Sequence, residues 1–170
     1  MKALVLLVAS GLVLQSPCKD FGSDPTPDME FAIYRLLDTS IVARTAWDLP
    51  LESLTLSREP FIRAQDLKAY HWSTHTFEPV AALDSVLKQM MAFRGKSWGV
   101  PFVVMVGKQR IYLGAFWWAY SSLAPKVPNI EIITSRKSYT IAPAWLPMVP
   151  DTRGDPRIRE ALQKAGILVQ

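Results

Sequence analysis

The chain has 170 residues, 49% of them hydrophobic, and a net charge of +4. That is apolar material for one core and too little length for two full domains. A single cysteine excludes a disulfide scaffold.

Lys2 precedes an uncharged run from Ala3 to Leu14. Twelve such residues suit the apolar core of an export signal and fall short of the roughly 20 a transmembrane helix needs. The expectation is a signal over residues 1–18, with the mature protein periplasmic or secreted. Cys18 is a candidate lipid acceptor that would hold it at a membrane, although Gln15, Ser16 and Pro17 upstream depart from the usual lipoprotein pattern. Residues 19–28, with two prolines, a glycine and three aspartates, read as a flexible tether. A domain over residues 29–170 follows.

Within it, Phe31–Leu37 reads as the first strand and Ser40–Trp47 as a short helix capped by Ser40 and closed by Pro50. Leu54–Leu56 suggests a short strand, Arg63–Tyr70 a helical turn, and Ser73–Phe77 extended chain. Leu83, Val86, Leu87, Met90 and Met91 recur at the three-four spacing of a helix with one buried face, begun near Pro79 and ended by Gly95 and Gly99. Pro101–Val106 and Ile111–Trp118 form two strands about the Gly107–Arg110 turn, apolar on both faces, so that both sides of this hairpin should be covered. Asn129–Thr134 and Tyr139–Ile141 add strands around a Ser135–Ser138 turn. Pro143, Pro147 and Pro150 mark a loop. A last helix runs over Pro156–Lys164, with Asp155 as its cap and Gly166 beyond its end. Strands in succession with few helices predict an α+β fold: a mainly antiparallel sheet with a central hairpin, packed by one amphipathic helix and a C-terminal helix.

Trp72-Ser-Thr-His-Thr-Phe77, together with Pro101-Phe-Val-Val104 and Arg110-Ile-Tyr-Leu-Gly-Ala-Phe-Trp117, resembles a family of small exported bacterial proteins without an assigned activity. The resemblance spans most of Met29 to about Ile133. It implies export and a shared domain, and it implies no catalytic residue.

Charge is divided along the chain. Residues 19–91 hold 7 basic and 11 acidic side chains, and residues 92–170 hold 11 basic and 4 acidic, so the two parts carry −4 and +7. They can neutralise one another in the folded domain, or the basic part can face an anionic envelope component. Lys108 and Arg110 at the hairpin tip could meet phosphate or simply be solvated.

His71 and His75 are the only histidines. Four residues of extended chain would hold their rings roughly 13 Å apart, too far for one ion, so no metal site is expected. Ser73, His75 and Asp66 are the weak candidates for a hydrolytic triad, without the nucleophile elbow or glycine-rich oxyanion loop such chemistry uses. Arg153-Gly-Asp155 matches an integrin-read tripeptide but sits where a helix cap belongs. No glycine-rich phosphate loop, zinc-type cysteine pair or base-reading motif occurs, so neither a cofactor nor nucleic acid is expected. Phe116, Trp117 and Trp118 cannot all enter one core. With Tyr120 they are the candidate binding surface, unless the chain's own loops bury both tryptophans. The leading reading is a non-catalytic envelope or secreted binding domain. A small hydrolase and a structural or inhibitory envelope module are the alternatives.

Overall fold

A computed structural model describes residues 29–90, 97–132, 137–147 and 150–170. The signal, the tether, Cys18, Met91, Gly95, Ile133, Thr134 and half of the Ser135–Ser138 turn lie outside the described residues. The elements run β1 (Phe31–Arg35), α1 (Ala43–Ala46), β2 (Ile62–Arg63), β3 (Leu67–His71), β4 (Thr76–Pro79), α2 (Ala81–Gln89), β5 (Val100–Val106), β6 (Gln109–Trp118), β7 (Asn129–Ile132), β8 (Tyr139–Ala142), α3 (Pro156–Lys164) and β9 (Leu168–Val169). The fold is α+β. Its nine strands form one sheet in the order β2-β1-β5-β6-β7-β8-β4-β3-β9. All neighbours are antiparallel except β6–β7 and β3–β9. No helix among the described residues is long and apolar enough to cross a membrane.

The sheet buries both faces. Phe31, Ile33, Phe102, Val104 and Phe116 meet Leu83 and Leu87 of α2 and Ile158 and Leu162 of α3 on one side. Val103, Leu113, Ala115 and Trp117 meet Ala43 and Ala46 of α1, Trp47 at its C-terminal end, and Val127 on the other. β5 and β6 therefore carry apolar side chains in both directions, as a strand covered on both faces must. Gly114 lies opposite Phe102 in the ladder. A Cβ there would stand 2.4 Å from the Phe102 ring, so the glycine makes room for an aromatic laid across the neighbouring strand.

The two-residue alternation along β6 is interrupted once. Val104 pairs with Tyr112 while Met105 pairs with Arg110, which leaves Ile111 as the extra residue of a bulge. Ile111 then joins Tyr112 in the first core instead of sharing a side with Leu113.

Several local expectations give way to tertiary pairing. Over Arg63–Tyr70 only Ala64–Asp66 turns, as one 3-10 turn, and Leu67–His71 is a strand held between β4 and β9. Ladder partners on both sides override a weak helical preference. Leu54–Leu56 forms no strand. Leu51–Ser53 makes a 3-10 turn, and Leu56 bridges to Leu36 alone. Ser40 does not cap α1, whose N-cap is Val42. Its N–H and hydroxyl donate to Asp38 Oδ1 at 2.8 and 2.6 Å. Nor is Ser73–Phe77 extended throughout: Trp72–Thr74 is a 3-10 turn, and His75 closes it in the left-handed region at φ 50°. Pro79 ends β4, and α2 begins two residues later.

Candidate functional site

Two places collect the residues singled out by the sequence: the His75 corner and the end of β6.

At the corner, β3 and β4 are joined by the turn that carries His75. Its Nδ1 lies 3.2 Å from Tyr70 Oη, and its ring packs edge-on against Trp72 at 5.4 Å. The His75 carbonyl accepts from Ile141 N at 2.9 Å. The Ile141 carbonyl in turn accepts from Arg153 Nη1 at 2.7 Å. Arg153 also grips Asp151 through Nε and Nη2 at 2.9 and 2.8 Å. A chain of polar contacts thus ties the β3–β4 turn to β8 and to the segment before α3.

Electrostatics follow from this crowding. Burial first, and then the Arg153 guanidinium, push the His75 imidazole below its ordinary value, while Asp151 acts in the opposite direction. Burial holds the Tyr70 and Tyr112 phenols well above theirs. The hydrogen bonds from Arg153 hold the Asp151 carboxyl below the usual carboxylate range.

The triad candidates do not assemble. Asp66 Oδ2 accepts from Arg63 N at 2.8 Å and stabilises its own turn. Ser73 is exposed on the turn before His75, and among the described residues no hydrogen bond joins it to His75 or Asp66. His71 lies against Glu78 at 3.3 Å, so the two histidines serve different partners. No group of three or more potential metal-ligating side chains occurs among the described residues.

Two other motifs are used structurally. Asp155 accepts from Arg157 N at 2.9 Å and caps α3, with Pro156 in its first turn, and Arg153 of the tripeptide is committed to Asp151 and Ile141. At the hairpin, Arg110 Nη1 donates to the Leu51 and Leu54 carbonyls at 2.6 and 2.7 Å, and its Nε lies 3.5 Å from Glu52. It fastens the 51–54 turn to the sheet.

At the end of β6, the candidates separate. Phe116 and Trp117 are interior, at 2% and 4% exposure. β6 and β7 run parallel, so the 119–128 segment must travel back along the sheet. That return covers Trp117, whose Nε1 donates to Leu123 O at 3.2 Å. Trp118 is partly buried, whereas Tyr120 is 87% exposed. Beside Trp118 lies an open depression of about 180 Å³, walled by Ser121, Ser122, Asn129, Glu131 and Trp145. Trp145 is 79% exposed and Leu146 60%. Their backbone N–H groups reach the Pro125 carbonyl at 3.0 and 3.5 Å, which fastens the proline-rich loop to the β6–β7 return. Trp145 and Leu146 were not singled out by sequence reasoning. The only signal would have been two large apolar side chains inside a loop between Pro143 and Pro147.

No protein-family model matches the chain, and no curated protein or solved structure matches it either.

Proposed function

We propose that the chain is a non-catalytic, extracytoplasmic binding domain that meets an envelope component through the rim formed by Trp118, Tyr120 and Trp145. The observation that carries this reading is the exposed Trp145, which lines one depression beside β6 together with Trp118; Tyr120 and Leu146, each next in the chain to a lining residue, are strongly exposed as well. Large apolar groups gathered on a surface mark contact sites, whereas single scattered ones do not. In this reading β6 presents Trp118 at its end, supported by the contacts that α1 and α3 make with the β5–β6 pair. Export rests on the apolar run Ala3–Leu14 and on the resemblance to small exported proteins.

Sedimentation of the mature protein with isolated envelopes tests the reading. Tyr120→Ala and Trp145→Ala remove exposed side chains, so each should leave the thermal midpoint in place. Each should weaken association by about 2 kcal/mol, as for an aromatic anchor. Unchanged sedimentation of the double variant would refute the surface.

A further inference from the structure

Resting on the reading of Trp145 as part of the contact surface, we infer that Tyr70 and His75 form a proton-operated latch at the base of the Trp145 loop, fastened while the imidazole is neutral and released when it is protonated. The loop between β8 and α3 is closed at its base by one bond across 12 residues, from Arg153 Nη1 to the Ile141 carbonyl at 2.7 Å. Ile141 in turn donates its N–H to the His75 carbonyl at 2.9 Å, so the corner of the β3–β4 turn holds the residue from which the loop is hung. His75 takes up a left-handed backbone at φ 50°, which is strained for a residue with a Cβ. Such a corner persists where surrounding contacts over-determine it. Here they include the approach of Nδ1 to Tyr70 Oη at 3.2 Å and the edge-on packing against Trp72 at 5.4 Å.

The Tyr70 contact works in one protonation state. Burial keeps the phenol protonated, so it donates and Nδ1 accepts, which places the proton of the neutral imidazole on Nε2. A proton on Nδ1 sets two donors against each other. Tyr70 is 1% exposed, and among the described residues no other group bonds to its Oη, so the displaced phenol proton finds no acceptor there. The charged groups that act on the imidazole come from the segment before α3. Arg153 repels the imidazolium and Asp151 attracts it, and the two grip each other through Nε and Nη2 at 2.9 and 2.8 Å. Protonation therefore sets a new charge against the guanidinium that closes the loop and draws its carboxylate partner away. Asp151 stays ionised meanwhile, because the bonds from Arg153 hold its carboxyl below the usual range. From the other elements around the turn, β8 offers the Ile141 N–H, Arg159 of α3 stands over the Trp72 ring at 6.0 Å, and His71 of β3 meets Glu78 of β4 at 3.3 Å.

The test is a titration of the isotopically labelled protein from pH about 8 to about 4.5, followed by proton–nitrogen correlation spectra. The Ile141 amide and Arg153 Nε signals should move with the same midpoint as the His75 ring, while the Trp47 indole, in the other core, stays in place. Hydrogen-exchange protection of the Ile141 amide should fall about tenfold across that midpoint, the equivalent of roughly one hydrogen bond. Tyr70→Phe removes the donor that favours the neutral ring, so the midpoint should rise. His75→Asn accepts the left-handed backbone and carries no titrating ring, so both signals should stay still. His71→Asn, which alters the neighbouring contact with Glu78, should leave the transition as it is. Ile141 and Arg153 signals that do not follow the His75 ring, a Tyr70→Phe midpoint that is unchanged or lower, or a transition that survives His75→Asn would each overturn the latch. So would collapse of the Trp47 signal at the same pH, which is unfolding of the whole domain. Envelope sedimentation at pH about 7.5 and about 5 reads the consequence, and the unsubstituted protein should lose association relative to His75→Asn. Association that needs Trp145 but falls equally in both would overturn the latch's hold on the loop and leave the contact surface standing. A latch that opens in the spectra while sedimentation ignores Trp145→Ala would remove the surface and leave the latch.

Discussion

Gly114→Ala puts one methyl group into the centre of the sheet. The new Cβ would stand 2.4 Å from both Cε2 and Cζ of Phe102 and 3.0 Å from the Pro128 carbonyl oxygen. Two of these contacts are far inside ordinary van der Waals distance, and neither neighbour can yield easily. Phe102 is fully buried, with the Phe116 ring at 4.9 Å, and Pro128 is buried beside the parallel β6–β7 pairing. Overpacking of this kind costs about 2–3 kcal/mol. In a domain of this size that lowers the midpoint of thermal unfolding by roughly 5–10 °C. Phe102→Leu should relieve the clash, because it removes the ring atoms that the new methyl group meets. Urea denaturation of the two single variants and the double variant then closes a cycle. The double variant should be more stable than the sum of the single losses predicts, by about 1 kcal/mol or more. A neutral Gly114→Ala, or additivity within about 0.5 kcal/mol, would refute the close approach of ring and backbone.

His75 should make stability depend on pH. Its folded value lies below the ordinary 6.5, so the unfolded chain binds the proton more tightly. Its contribution is complete above pH about 6.5 and is lost as the pH falls from there through the lowered folded value. His75→Asn tolerates the left-handed backbone and cannot titrate, so its urea midpoint should lack that decline; an identical decline would refute the assignment. Acrylamide should quench a variant that retains only Trp145 and leave one that retains only Trp117 shielded; equal quenching would contradict the burial of Trp117 under the 119–128 return. Asp155→Ala should cost about 1 kcal/mol in urea unfolding, the usual loss for an N-cap, and no loss would mean that the cap is idle.

The β5–β6 hairpin and α3 were legible because their signals are local. A doubly apolar pair of strands around Gly107, and an Asp-Pro start with a glycine after the end, mean much the same in most contexts. The strand at Leu67–His71 was not legible, because its partners β4 and β9 come from opposite directions along the chain and no residue within the segment announces them. The end of β6 divides in the same way. Adjacency in a strand determined that three successive aromatics could not share one core, because neighbouring side chains alternate faces. Which of them stays outside was decided by the parallel pairing of β6 with β7, which lays the 119–128 segment over Trp117 and fastens the Trp145 loop beside Trp118. The His75 corner likewise depends on residues 70, 75, 141, 151 and 153 meeting through three separate parts of the chain. The sequence by itself determined the class of fold, the capped last helix and the aromatic run at the end of β6 as a candidate surface. Only the tertiary structure decided where that surface opens, because strand pairing is a contact between distant segments and burial is a property of their assembly.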